Sequence, residues 1–263
     1  MPKNIKTRKN TERKYKELSL RAHGNKKRSP HNRKITDVPL SKIKSKGSRA
    51  TKGDIDFHYQ SYSNIIDFFK SLKIKLRVRY YNPLFHLKAT KKKIEHTMNG
   101  MNGMNGMNGI SSYTFDRDYN ILMINITTEE GNHANIAMVN NVNKTIEFFE
   151  PHGYRRNKNS EIAGIKGIYN KKIKLLTKYF KDLLPSHSFI NVTDFNKETS
   201  FQTLLDPEEN SGFCVTWCIL FIHYRLLNPH VLVSRLIERM HKQMTTPKLL
   251  RYAKFVEETV KKI

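Results

Sequence analysis

Two short apolar runs, ANIAMVN at 134–140 and TIEFF at 145–149, flank the tetrapeptide Asn141-Val142-Asn143-Lys144. Apolar and β-branched residues bounded by Asn-rich turn chemistry predict an antiparallel hairpin. A hairpin alone is barely stable in water, so the chain must supply strands beside it and helices over it. NILMINI at 120–126 reads as a buried strand, Ser188–Val192 as another, and the alternating KIKLRVRYY at 73–81 as a third. Helical spacing of apolar residues predicts helices over 58–72, 160–184, 211–227, 230–243 and 247–262. The helix at 211–227 follows Asn210-Ser211, good N-cap residues, and stops before Asn228-Pro229. Strands and helices are mixed without strict alternation, which favours α+β over a doubly wound sheet.

Charge divides the chain. Of 48 Lys and Arg against 23 Asp and Glu in 263 residues, 18 basic residues fall in 1–53, with only Glu12, Glu17 and Asp37 against them. So basic a segment, poor in large apolar residues, cannot offset its ordering entropy by burial, and 1–53 is expected to be a disordered basic arm. Its natural partner is a polyanion, DNA or RNA; a solubilising tail or a localisation signal is the competing reading. Residues 54–97 then read as an N-terminal helix and strand extension. Residues 98–109 are four Met-Asn-Gly triplets, expected to form a flexible loop, and 110–263 are the core.

Several classes are excluded. Mean hydropathy is −0.64, and no run of 18 apolar residues exists to span a bilayer. Two cysteines cannot make a disulfide framework. A polar, basic beginning gives no secretory signal, so a reducing compartment is expected: cytosol, nucleus or the interior of a particle assembled there. No solenoid period is present.

The chemistry centres on Cys214, in GFCVTWC, in the first turn of the 211–227 helix. A helix N-terminus carries partial positive charge and free N–H groups. It is therefore expected to lower the thiol pKa and to offer donors to an oxyanion. Cys218, one turn on, reads as a small core residue. A cysteine nucleophile needs a base, and the base needs an orienting group. His133 precedes the first hairpin strand and Glu150 follows the second, so a hairpin brings them to one sheet end. There the carboxylate would fix the imidazole tautomer; a surface salt bridge is the alternative. Cys214, Cys218 and His223 suggest zinc, but i, i+4 and i+9 on one helix converge poorly. Trp217 and Phe221 read as core packing, and His152 as a loop residue.

HANIAMVNNVNKTIEFFEPHG resembles the His-to-acid hairpin of the adenovirus endoprotease family, and NSGFCVTWCILFIH resembles its nucleophile helix. The order His, acid, Cys and the spacing are similar to a wider clan. That clan includes the SUMO-specific proteases and the core-protein proteases of large nucleocytoplasmic DNA viruses. The resemblance covers about residues 120–228. It implies a papain-like α+β fold, with a mixed central sheet and the nucleophile helix packed on it. It also implies a thiol endopeptidase in which His133 is the base, Glu150 its orienting acid and Cys214 the nucleophile. The implied substrates are viral structural precursors cut after small residues during maturation, in the virion or host cytoplasm. A deconjugase of a ubiquitin-like modifier, an acyltransferase with the same triad, and a catalytically dead nucleic-acid-binding protein are the other readings. The sequence departs from the family at Ala134, usually aromatic, at Val215, usually Gly, and at Pro207 and Glu208, one of which is usually Gln. Glu208 could serve an oxyanion only when protonated, so Asn210 and Gln202 are the alternative donors. No metal or organic cofactor is expected; DNA could act as an activating polyanion through 1–53.

Overall fold

The computed structural model describes residues 37–44, 48–89, 94–98, 114–128, 131–151, 173–174, 176–195, 201 and 213–263. Six strands form one mixed sheet: β1 (Val78–Ala89), β2 (Ile94–Met98), β3 (Tyr119–Thr128), β4 (Gly131–Asn140), β5 (Thr145–Phe149) and β6 (Ser188–Asn191). Their order is β2-β1-β3-β4-β5-β6. The pairs β1/β3 and β5/β6 are parallel, and the other pairs are antiparallel. The helices are α1 (Ser41–Lys44), α2 (Tyr62–Ser71), α3 (176–183), α4 (Cys214–Leu227), α5 (Val233–Gln243) and α6 (Thr246–Val260). The fold is α+β.

The expected hairpin forms with the expected turn. The buried Asn140 side chain accepts from the N–H groups of Val142 and Asn143, both at 3.1 Å, an Asx turn. Every residue of β5 is buried. That explains its unbroken apolar texture: the strand is covered on both faces. On one face Ile136, Met138 and Phe149 pack against α4, with Phe149 stacked on Phe221 at 4.6 Å. On the other face Ala137, Val139, Ile146 and Phe148 pack against Leu176 and Phe180 of α3. The sheet is thus the middle of three layers.

The strand expected over 73–81 starts later, as β1 (Val78–Ala89), an inner strand between β2 and β3. Its pairing with β3 skips between Tyr81 and Phe85, a bulge containing Pro83, which has no N–H to give the ladder. The helix expected over 58–72 divides into a 3-10 turn at His58–Gln60 and α2, whose N-cap Ser61 accepts from the Asn64 N–H.

Part of the expected arm belongs to the folded body. Leu40 and Ile43 are buried in the core. The Asn228 side chain brackets Val38, accepting from its N–H at 2.8 Å and donating to its carbonyl at 3.2 Å. Asp37 accepts from Arg239 at 2.8 Å and pairs with His230 at 3.0 Å. The Arg239 hydrogen bond holds the Asp37 carboxyl below its ordinary range. Two apolar residues at one-turn spacing were too weak a signal against so basic a background. Residues 1–36 and 99–113, and with them most of the arm and the triplet loop, lie outside the described residues.

One ion pair crosses the core. Arg225, in the last turn of α4, and Glu147 of β5 are both fully buried. Arg225 Nε and Nη2 donate to the two Glu147 carboxylate oxygens at 2.8 and 2.9 Å. Its Nη1 donates to the carbonyls of Asn228, Pro229 and Val231. Removing one partner leaves a buried charge uncompensated. Glu147→Leu is therefore expected to lower unfolding free energy by about 3–5 kcal/mol, read as a fall in the urea midpoint. Val142→Ser, at a site 54 % exposed, should leave the midpoint unchanged.

Candidate active site

The upper end of the sheet, where β4 starts and β5 finishes, meets the start of α4. The register Ile136↔Phe149 fixes the hairpin. Continued by one pair, it sets Asn135 beside Glu150; His133, paired with Ile126, shares with Asn135 and Ala137 the face opposite α4, at the sheet end that Cys214 reaches. Glu150 is buried at 2 % exposure, and His133 is half-buried. Asn135 is fully buried; its amide donates to the His133 carbonyl at 3.0 Å, while its Oδ1 has no partner among the described residues.

Cys214 is the first residue of α4. Its thiol lies against the backbone of Ala134, the residue next to His133. Cys218 Sγ donates to the Ala134 carbonyl at 3.4 Å. The two sulfurs of α4 therefore bracket the peptide beside His133, and the charge of Glu150 reaches both. The structure so gathers Cys214, the His133–Ala134 segment and Glu150 at one sheet end. Gln202, Glu208, Asn210 and His152 lie outside the described residues, as does Ser211. The N-cap of α4 is Phe213, which makes no side-chain capping bond, not the Asn210-Ser211 pair that the sequence suggests. Trp217 N–H donates to the Phe213 carbonyl at 2.9 Å, the first bond of the helix. The N–H groups of Cys214, Val215 and Thr216 precede it and have no acceptor within the helix.

The thiol environment differs from the sequence expectation. Burial pushes the Cys214 thiol above its ordinary value, and the nearby Glu150 carboxylate adds to that. Backbone hydrogen bonding from Ala134, Val215 and Cys214 itself pulls downward but is outweighed. A helix start alone does not make a thiolate when the sulfur is also desolvated. Cys218 is pushed much higher by complete burial, as its reading as a core residue requires. His223 is also a core residue: its Nδ1 bonds the Tyr252 hydroxyl at 3.1 Å, and Phe68 meets the ring edge-on. Among the described residues no cluster of His, Cys, Asp or Glu could hold a metal ion. No helix among them is long and apolar enough to cross a membrane.

Three supports of the site were not visible in the sequence. The Tyr59 hydroxyl and Thr216 Oγ1 bond at 2.7 Å, tying the segment before α2 to the first turn of α4. Phe57 meets Phe213 edge-on at 5.2 Å, and its φ of 55° is costly for an aromatic residue. Asn135 ties down the His133 backbone. A polar residue inside the apolar run 134–140 was the one available signal for the last of these.

No protein-family model matches the chain. It is 26 % identical over 176 residues to a protein of Acanthamoeba polyphaga mimivirus named a "putative ankyrin repeat protein". The match covers 62 % of this chain but 22 % of that protein. The mixed sheet described above is unlike the turn-and-two-helix unit of ankyrin repeats.

The thiol geometry sets a pH test. With a raised pKa, Cys214 cannot be alkylated rapidly at neutral pH unless a neighbouring base takes its proton. In His133→Ala the iodoacetamide rate at Cys214 should rise only above about pH 9, the upper end for an ordinary thiol. In the parent chain the midpoint should lie at least about 1–2 units lower if the imidazole is the partner. Peptide mapping should find Cys218 unmodified in both.

Proposed function

We propose that the chain is a thiol endopeptidase of papain-like arrangement, with Cys214 as nucleophile, His133 as general base and Glu150 as the acid that orients it. One observation carries the reading: the Cys214 thiol at the head of α4 abuts the backbone beside His133, within electrostatic reach of the buried Glu150. The His133 imidazole takes the thiol proton, and the thiolate attacks a peptide carbonyl. The tetrahedral oxyanion is met by backbone N–H groups at the start of α4, Cys214 and Val215 being the nearest. As the C–N bond breaks, His133 returns the proton to the leaving amine and a thioester remains. Water, deprotonated by His133, then hydrolyses the thioester and restores the thiol. Glu150 keeps the imidazole in the tautomer that presents a basic nitrogen to sulfur.

The resemblance to the adenovirus endoprotease clan supports this reading, as does the similarity to a protein of a giant DNA virus. Together they point to viral structural precursors as substrates, cut after small residues, and to the virion or host cytoplasm as the setting.

A proteome-derived peptide library, incubated with the full chain and read by mass spectrometry of new N-termini, tests the activity. Cleavage sites should share a small residue before the cut. Cys214→Ala should abolish them. His133→Ala should slow cleavage by about 10²–10⁴-fold, the usual worth of a general base. Glu150→Gln should slow it less. Cleavage that persists in Cys214→Ala would rule the reading out. Reaction confined to ubiquitin-like probes ending in Gly-Gly would favour a deconjugase instead.

A further inference from the structure

We infer that the lower end of the sheet, opposite Cys214, is a docking face for the phosphate backbone of nucleic acid, built by the folded body and not by the basic arm alone. The inference is independent of any activity at Cys214.

The face begins where α2 ends. In Lys73-Ile74-Lys75-Leu76-Arg77-Val78, Lys73, Lys75 and Arg77 are exposed, while Ile74, Leu76 and Val78 pack against the core. Nearby cations are compensated: Lys70 by Asp67 at 3.3 Å and Arg79 by Asp116 at 3.1 Å. Arg77 donates to the Asp116 carbonyl at 3.4 Å and meets Asp118 at 4.0 Å, with its side chain still 63 % exposed. Lys73 and Lys75 have no ion pair among the described residues. With the apolar residues of this segment turned inward, it offers charge but nothing to insert into lipid, which favours a nucleic acid over a membrane.

The backbone of Lys73 is a second observation. It has a φ of 48°, just after the C-cap of α2, where glycine is the usual residue. A lysine there is held against its conformational preference. Such strain is characteristic of positions kept for what the side chain does.

The third observation is position. The first register pairs of the sheet, Val78↔Tyr119, Tyr119↔Asn140 and Asn140↔Thr145, define its lower edge, next to the basic segment. α4 runs from Cys214 at the upper end to Arg225, beside Glu147 near this lower edge. Asn228, just past α4, is the residue that grips Val38. Asp37 and Val38, which follow the 13 Lys or Arg and two acids of 1–36 in sequence, thus lie at the same end as Lys73, Lys75 and Arg77. Fourteen residues of α4 span about 21 Å, so a polyanion held there leaves the Cys214 end open to a protein substrate.

The test uses the full chain and a fluorescein-labelled 30-base-pair duplex, with anisotropy read at several salt concentrations. The face variant is Lys73→Gln/Lys75→Gln/Arg77→Gln. The control, Lys174→Gln/Lys178→Gln/Lys242→Gln, removes three exposed charges elsewhere. The face variant should reduce the slope of log affinity against log salt by about 2–3, close to 0.9 per lost phosphate contact. The control should keep the parent slope. Equal loss in both variants would reduce the effect to net charge, and no loss in either would leave binding to the arm; each overturns the proposal. So would a face variant that keeps duplex binding but loses binding to phosphatidylserine vesicles. Lys73→Gly separates function from folding: it should raise Tm by relieving the positive φ while lowering the salt slope by about 1. A lowered Tm, or an unchanged slope, counts against the proposal.

Discussion

The structure turns on Arg225. Its guanidinium is fully buried, grips both oxygens of Glu147 and collects the three carbonyls that follow α4. A guanidinium suits this place because its five donors form a rigid planar fork that can satisfy a carboxylate and a turn together. The bidentate geometry fixes the foot of α4 against β5 in both position and rotation. Along its length α4 is buried on nearly every side, from Thr216 to Leu226. A stiff helix fixed at its foot and packed along its length carries its first residue to a defined place. Cys214 therefore meets the Ala134 peptide as a consequence of the anchor at Arg225, about 17 Å away along the helix.

The same anchor orders the chain around the foot of α4. Asn228 has its carbonyl held by Arg225, and its side chain grips Val38 and the Tyr224 carbonyl. Asp37 then joins His230 and Arg239 just beyond. The buried ion pair, the turn and the N-terminal segment form one polar network at the lower end, while the thiol, the His133–Ala134 segment and Glu150 lie at the upper end. Because α4 spans both, strain or charge changes at the lower end reach the thiol only through a rigid, close-packed core.

Strands with one strong period and helices with clear apolar faces were legible in the sequence. β5 was read at 145–149; α5 starts three residues later than expected and ends where expected, and α6 differs by one residue at its start and two at its end. The hairpin needed only its turn chemistry and two apolar runs. Lys144 takes the positive φ of that turn, which no residue type in NVNK announces. What the sequence hid was long-range. Glu147 sits among TIEFF and Arg225 among FIHYRLL, and nothing local says that they meet across 78 positions. Leu40 and Ile43 were masked by the basic residues around them. At the site, the spacing of His133 and Glu150 was readable because a hairpin converts sequence distance into proximity. The roles of Asn135, Tyr59 and Phe57 were not, since each depends on a partner set by the tertiary fold.

The least expected feature is also the one with the clearest chemical logic. A helix N-terminus argues for an easily ionised thiol, yet burial and Glu150 raise the Cys214 pKa. The two facts are compatible if the charge appears only as a pair. In the proposed reaction, moving the proton from sulfur to imidazole would create an anion and a cation together, and Glu150 would oppose the first and stabilise the second. In the proposed triad, the field that raises the Cys214 thiol would favour a protonated imidazole placed beside it. An isolated thiolate at Cys214 is thereby disfavoured, whereas a thiolate–imidazolium pair is not. A site of the proposed kind would keep its sulfur neutral against small oxidants and electrophiles until the imidazole is in place. Under the proposed mechanism its reactivity would depend on the position of His133 more than on the helix. That position is set by the β4 backbone, which the buried Asn135 amide holds at the His133 carbonyl.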